Sequence, residues 1–370
     1  MKVAVVRNRS RDGVINQFGQ PCPEVYGKKA VQMTMDALRE AGHTVAVLEG
    51  DKTLFAKLEE FMPPDADGRP AGMVFNMAYG VQGKSRYTHV PAMLEMAGVP
   101  YTGADPLGHA IALDKVVTKI QMRHAGVPTP NYKVMSAGAM DDSGLRFPLV
   151  VKPRHESTSY GLRLAENRDQ LREAVLAVVT EYQQEAIVEE YIDGREVAVA
   201  VLGNEPADLL PLVEFDFKGR SLRAVTWGDK YHKQPDEPQK LCPAPVDEKL
   251  ADCLRAIALA TFRACHCRDY SRVDIRIDPS GNPFVLEINS MASLGTGGAY
   301  VMAARTAGYT FPSLISRILD LAHQRYFGTP APRDPKVSQP EELYTSSAPS
   351  SAGTSSPQPI ASRTIQQLQD

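Results

Sequence analysis

The hydrophobic positions change their period along the chain. Residues 2–6 form an apolar run that reads as a buried strand, and residues 25–41 carry helical spacing that stops at Gly42. Apolar runs at 44–48 and 73–75 predict two more strands, with a helix between them and another near 88–97. Strands alternating with helices at this spacing predict βαβ units and a small parallel sheet. Asp105-Pro106 opens a helix, Asp as N-cap and Pro in the first turn, and a second helix runs from about Asp114 to Gly126, ahead of Pro128 and Pro130. Strands then dominate, at 147–152, 187–190, 196–202 and 210–217, followed by a long polar loop at 218–240. A helix at 247–265 and an amphipathic helix at 310–326 flank a late hairpin.

That hairpin is the most informative segment. Val273, Ile275 and Ile277 alternate with Arg272, Asp274 and Arg276, which predicts a half-buried strand. Asp278-Pro279-Ser280-Gly281-Asn282 is turn chemistry, and Val285, Leu286 and Ile288 make the return arm apolar. Centring the turn between Ser280 and Gly281 sets Asp274 opposite Glu287 and Arg272 opposite Asn289. Side chains alternate with period 2, so these four polar groups share one face. Two carboxylates and a carboxamide form a hard-oxygen set suited to Mg²⁺ carried by a nucleotide phosphate. Taken alone, the same pattern also describes a solvated polar face with a cross-strand Arg–Asp pair.

A chain of 370 residues exceeds one ordinary core, so two or three domains are expected. Hydrophobic residues at 43% and charged residues at 23% are ordinary for a globular protein, and a net charge of −3 favours neither nucleic acid nor an anionic membrane as partner. The first apolar run is too short for a signal peptide, no stretch reaches transmembrane length, and five cysteines show no paired framework, which fits a reduced, cytoplasmic protein. Cys265-His266-Cys267 has the wrong spacing for a zinc knuckle. From Gly328 onward the Pro-, Ser-, Thr- and Ala-rich tail predicts disorder.

Lys152 ends an apolar strand and precedes Arg154-His155-Glu156-Ser157-Thr158-Ser159-Tyr160-Gly161, whose small hydroxyl residues can wrap phosphate oxygens. Five motifs follow one another: Asp114-Lys115, Lys152-Pro153 with its Ser/Thr loop, Glu189-Glu190-Tyr191-Ile192-Asp193-Gly194-Arg195-Glu196, Arg272-Val273-Asp274 and Glu287-Ile288-Asn289. This succession, with Pro100-Tyr101-Thr102-Gly103, resembles the ATP-grasp superfamily and, within it, the D-alanine–D-alanine ligases. The resemblance implies an α/β (α+β) ATP-grasp fold of three domains: an N-terminal Rossmann-like domain at 1–105, a central lobe at 106–190 and a C-terminal lobe at 191–328, with nucleotide between the last two and a tail at 329–370.

The resemblance implies roles residue by residue. Lys115, Lys152 and Ser159 would meet the ATP phosphates. Glu189 would bond the adenine amino group, Glu190 and Ile192 would line the base through their backbones, and Glu196 would meet the ribose. Asp274, Glu287 and Asn289 would hold one or two Mg²⁺, with Mn²⁺ as a substitute. Arg272 would stabilise the transferring phosphoryl group, Thr158 stands at the family's catalytic serine, and Lys230-Tyr231 match a Lys-Tyr pair on the family's mobile loop. The implied reaction joins amino acids or small peptides through an acyl phosphate, a chemistry of positioning and charge neutralisation. The loop at 218–240 would exclude water as a lid, or serve as a connector without a role. The family's relatives are often dimers, so the resemblance admits a homodimer.

The departures cluster at the amino-acid pockets. The family's first loop, Gly-Gly-x-Ser-x-Glu, is replaced by Arg7-Asn8-Arg9-Ser10, with Glu24 a loose substitute for its acid. Tyr79-Gly80-Val81-Gln82-Gly83-Lys84 loses the family's histidine and glutamate, and Gly298 falls where a serine is expected. Two explanations compete for Arg7, Arg9, Lys84 and Arg86: a more basic pocket suiting a larger or anionic donor, or solvated surface charges. Other readings remain open as well: a true D-alanine–D-alanine ligase with aberrant pockets, a nucleotide-binding relative without activity, and, without a Gly-x-Gly-x-x-Gly after the first strand, a dehydrogenase only as a third choice.

Overall fold

The computed structural model describes residues 1–9, 22, 24–220, 223–225, 228–229 and 237–332. The N-terminal segment builds β1 (Lys2–Arg7), α1 (Lys28–Glu40), β2 (Thr44–Glu49), α2 (Leu54–Phe61), β3 (Gly72–Met77) and α3 (His89–Met96). The strands form a parallel sheet in the order β2-β1-β3, and Tyr101 adds a parallel bridge to Val74. Val3 to Val6 are fully buried because β1 is the central strand and both faces are covered. Ala4 and Val6 pack with Leu54, Leu58 and Leu94, while Val3 and Val5 face Leu38 of α1.

Two helices, α4 (Pro106–Leu113) and α5 (Lys115–His124), lead into the central lobe. Asp105 caps the first, accepting from the Gly108 N–H. Asp114 interrupts the run with an extended conformation and caps the second, accepting from Val116 and Val117. Next come β4 (Tyr132–Met135), β5 (Leu149–Pro153), β6 (Arg163–Ala165), α6 (Arg168–Tyr182) and β7 (Ala186–Glu190), giving an antiparallel sheet ordered β4-β7-β5-β6. Leu171, Val175 and Val178 of α6 close its apolar face over Leu149 and Val151.

The largest sheet holds β8 (Arg195–Gly203), β9 (Ala207–Leu209), β10 (Val213–Asp216), β11 (Gln239–Leu241), β12 (Tyr270–Ile277) and β13 (Pro283–Asn289). Its order is β11-β10-β8-β12-β13, with β9 also on β8. Of the strand expected over 210–217 only 213–216 is formed, as β10; a separate short strand, β9, ends before it at Leu209, and Pro211 between them has no N–H to give to a ladder. The helices α7 (Glu248–Ala264), α8 (Ala299–Thr306) and α9 (Phe311–Phe327) complete the lobe. Cys265 and Cys267 are buried and free, the Cys265 thiol pushed up to about 12 by burial, which suits packing rather than metal binding.

α9 does not stay with its own lobe. Leu314, Ile318 and Leu319 share one apolar cluster with Val3, Val5 and Leu38. Beside it Asp269, fully buried, accepts from Gly103 N (2.8 Å), Asn204 Nδ2 (3.0 Å) and Arg325 (3.2 and 2.9 Å), and Arg325 also donates to the Tyr101 carbonyl at 3.0 Å. Among the described residues no helix is long and apolar enough to cross a membrane.

Candidate active site

The late hairpin pairs Arg272 with Asn289 and Asp274 with Glu287, and all four side chains line one cavity of about 490 Å³. Val285, Glu287 and Asn289 have the same sequence parity, yet Val285 lies in the core opposite Ile275. A bulge reconciles them: the register shifts between Asp274 and Ile275, which leaves Leu286 as the extra residue. Leu286 then joins Glu287 on the cleft side, against a smaller adjoining cavity of about 80 Å³.

Arg272 forks onto Asp274 with two bonds of 2.7 Å, and Asn289 Nδ2 donates to Asp274 Oδ2 at 3.0 Å. The pair runs along one strand, not across two. Burial works against the Arg272 charge, but Asp274 and then Glu287 outweigh it and hold the guanidinium above its ordinary pKa. Among the described residues no three His, Cys, Asp or Glu side chains form a closed metal cage. Two carboxylates and a carboxamide at the mouth of a cleft suit an ion that takes its remaining oxygens from phosphate.

Lys115, Glu196, Asp274 and Glu287 line both cavities. Thr158 lines the larger, and Lys152 and Ser159 the smaller. The loop carrying Thr158 and Ser159 is strained, with φ of 56° and 60°, and for a β-branched threonine that is a real outlier. Asp114 holds the loop's base: it accepts from Arg154 at 2.8 and 2.7 Å and faces His155 Nε2 at 3.2 Å. Burial raises its carboxyl, but His155 and Arg154 outweigh that and keep it well below the usual range. Lys115 donates to the Glu156 carbonyl, and burial pulls its ammonium below the ordinary value despite Glu287.

At the far end, the Glu189 carboxylate lies between Lys152 (3.1 Å) and Lys119 (3.4 Å). Burial pushes its pKa up, and the two lysines more than reverse that. Glu190 turns its side chain to Arg146, with three bonds of 3.0 to 3.1 Å, and its N–H donates to the Asn131 carbonyl at 2.9 Å. Glu190 and Ile192 line neither cavity. Sequence reasoning missed Arg276, which donates to the Ile192 carbonyl (2.9 Å), to Glu196 (3.0 Å) and to the Arg223 carbonyl, and thereby seats three neighbours at once. Its place on the same strand face as Arg272 and Asp274 was the available signal.

Part of the loop at 218–240 lies across the cleft. Ser159 Oγ donates to the Val225 carbonyl at 2.6 Å, Arg223 N donates to Tyr191 Oη at 3.1 Å, and Arg220 forks onto Asp229. Lys230 and Tyr231 lie outside the described residues, as do Ser10 and the tail from 333 onward.

The basic-pocket expectation is not met. Arg7 pairs with Glu49 at 3.1 Å, Lys84 is exposed, and Arg86 is buried between two acids; none of them lines the cavity. That wall instead carries Glu24, 3% exposed, and three tyrosines, Tyr26 stacked on Tyr79 with Tyr87 beyond. Gly298 caps α8 without a side chain at the opposite wall.

Under the cavity floor, His109 Nδ1 meets Ser290 Oγ at 2.8 Å. Burial pulls this imidazole from 6.5 down to about 4. Between those values the unfolded chain binds a proton that the folded chain refuses, so this stability is present above pH 6.5 and lost as pH falls toward 4. His109→Gln is expected to flatten the melting temperature over that window, where the wild-type chain gives up on the order of 3 kcal/mol. Equal slopes for the two proteins would refute the assignment.

A sheet-floored cleft with a strained phosphate-type loop on one side and a hard-oxygen hairpin on the other is the ATP-grasp architecture. The solved D-alanine–D-alanine ligase of Bacillus anthracis complexed with ATP shares it, with a TM-score of 0.68 at 19% identity, covering 88% of this chain and 97% of that one. The family described as D-ala D-ala ligase C-terminus matches residues 121–320. A D-alanine–D-alanine ligase of Alcanivorax borkumensis is 37% identical over 62% of this chain and 71% of its own length; one of Aquifex aeolicus is 32% identical over 83% and 99%. A Sinorhizobium fredii protein, called uncharacterized protein y4sG, is 55% identical over 89% and 98%. The chain belongs to the D-alanine–D-alanine ligase family, whose members are ATP-dependent enzymes that form amide bonds.

Proposed function

We propose that this chain is an ATP- and Mg²⁺-dependent carboxylate–amine ligase that joins amino acids or small peptides, with donor and acceptor pockets altered from the family pattern. One observation carries it: Arg272, Asp274, Glu287, Asn289, Lys115 and Thr158 border a single cavity, and Lys152 borders the adjoining one. Asp274, Glu287 and Asn289 would hold Mg²⁺, which neutralises phosphate charge and draws electrons from the reacting phosphorus.

Lys115, Lys152 and the backbone around Thr158 bind and orient the phosphates. Glu189 accepts from the adenine amino group, and Glu196, seated by Arg276, meets the ribose. A donor carboxylate oxygen attacks the γ-phosphorus, the bond to the β-phosphate oxygen breaks, and ADP leaves. The acceptor amine then attacks the acyl carbon, phosphate departs, and the amine proton goes to solvent or a nearby base. Arg272 faces the oxygens that gain charge in both steps. Segment 223–225, anchored by Ser159 and Tyr191, screens the acyl phosphate from water.

Glu24 presents a carboxyl group at the donor end, where, among the described residues, Tyr87 and Arg86 meet its Oε2. This favours a donor with an ammonium group over a purely anionic one. ADP release measured with MgATP against paired D- and L-amino acids tests the reading. The expected result is release that needs both a donor and an acceptor, with D-alanine alone a poor substrate. No amino-acid-dependent release with any pair would refute the ligase reading; rapid turnover of D-alanine would refute the altered pockets. Leu286→Ala is expected to weaken nucleotide binding about tenfold, since it removes apolar contact beside the base; unchanged affinity in a calorimetric titration would count against that placement.

A further inference from the structure

Arg86 is 2% exposed, and its guanidinium reaches two parts of the molecule at once. It lies 3.5 Å from Glu24 Oε2 in the N-terminal segment and 3.2 Å from Glu156 Oε2 in the phosphate loop, and it donates to the His155 carbonyl at 2.8 Å. Glu24 and Glu156 are both almost fully buried. Each acid is tied to a working part of the cavity. Glu24 accepts from Tyr87 Oη at 2.6 Å, and with that proton committed the same oxygen can accept from Ser157 Oγ at 3.2 Å. Glu156 accepts from Gln184 at 2.8 Å, and its carbonyl takes the Lys115 ammonium.

The backbone presents Arg86 firmly. Gly80, at a φ of +85°, passes so close that a Cβ there would sit 1.7 Å from the Arg86 carbonyl oxygen. Asn8 Oδ1 accepts from the Gly80 N–H at 2.9 Å. A buried cation between two buried acids is costly to break, because removing it leaves two uncompensated charges.

We infer that Arg86 is a positioning residue that couples the donor end of the cavity to the phosphate loop, so that occupation of Glu24 and the placement of Ser157, Thr158 and Lys115 depend on one shared guanidinium. Arg86 touches neither substrate nor nucleotide; it acts through Glu24 and Glu156. The purpose of this coupling rests on the ligase reading, whereas the melting temperatures below do not.

The test is a set of variants in the full chain, read by melting temperature and by calorimetric titration with a MgATP analogue carrying an imido β,γ-bridge. Arg86→Met is expected to weaken analogue binding about tenfold, and Arg86→Lys to recover most of that. Glu24→Gln is expected to change analogue affinity about threefold in the wild-type background and not at all beside Arg86→Met. Arg86→Met/Glu156→Gln is expected to melt higher than Arg86→Met alone, since one unpaired acid is gone, whether or not any amino acid is a substrate. Effects of Glu24→Gln and Arg86→Met that simply multiply would overturn the inference, as would a double variant melting no higher than Arg86→Met.

Discussion

Arg272→Met is expected to cut amino-acid-dependent ADP release by about a thousandfold while leaving MgATP affinity equal to or tighter than that of the wild-type chain. Both halves follow from the fork. Arg272 gives two 2.7 Å bonds to Asp274, so the same carboxylate assigned to the metal is also the arginine's partner. On the proposed reading, removing the guanidinium would delete the charge that faces the transferring phosphoryl group and would free Asp274 for a cation. Asp274→Asn has the opposite signature: metal-dependent nucleotide affinity and turnover fall together. Initial-rate kinetics beside calorimetric titrations separate the two variants. A drop of less than tenfold for Arg272→Met, or MgATP binding lost in step with turnover, would contradict the division of labour.

Asp269→Ala is expected to destabilise the folded chain by roughly 3 kcal/mol, because it removes a fully buried acceptor and strips the half-buried Arg325 cation of its partner. Asp269 is fully buried and collects bonds from Gly103, Asn204 and Arg325, which belong to three distant parts of the sequence. Burial disfavours the Arg325 charge, and Asp269 outweighs it and raises that pKa. Arg325→Met leaves the acid inside without its cation and should cost a similar amount. The paired substitution Asp269→Asn/Arg325→Met should cost less than the two single changes added together. Urea unfolding followed by circular dichroism measures all three, and a loss below 1 kcal/mol for Asp269→Ala would show that the hub carries little of the stability.

What the sequence disclosed was local. Period-2 alternation through Ile277 and the Pro-Ser-Gly-Asn turn set the hairpin, and the pairs at Arg272 and Asp274 stand as that register requires. The bulge at Leu286 was not anticipated, although a clue existed: Val285, Glu287 and Asn289 could not all obey one alternation with valine in the core and two acceptors in the cleft. Asp105 as a helix cap was readable because a cap speaks to a residue three positions on, and the second helix was placed from about Asp114, which the structure makes its cap.

Contacts between lobes were not legible. Arg86 meets Glu156 across 70 positions and Ser159 meets Val225 across 66, and no neighbouring residue marks either partner. The same blindness made four cations look like an anion pocket. Arg7 is matched across the parallel sheet by Glu49, and Arg86 is neutralised inside, facts fixed by topology and not by composition.

The union of the first helix with α9 bears on biosynthesis. Helix α1 packs against β1 and also against α9, so Leu38 shares one apolar cluster with Val3, Val5, Leu314, Ile318 and Leu319, and the last three leave the ribosome some three hundred residues later. Until then α1 covers that side of β1 while its own side toward α9 stays open to water, so the cluster is completed only after α9 has been made. Truncation within α9 should therefore be felt in the N-terminal segment, as exposed apolar surface along α1.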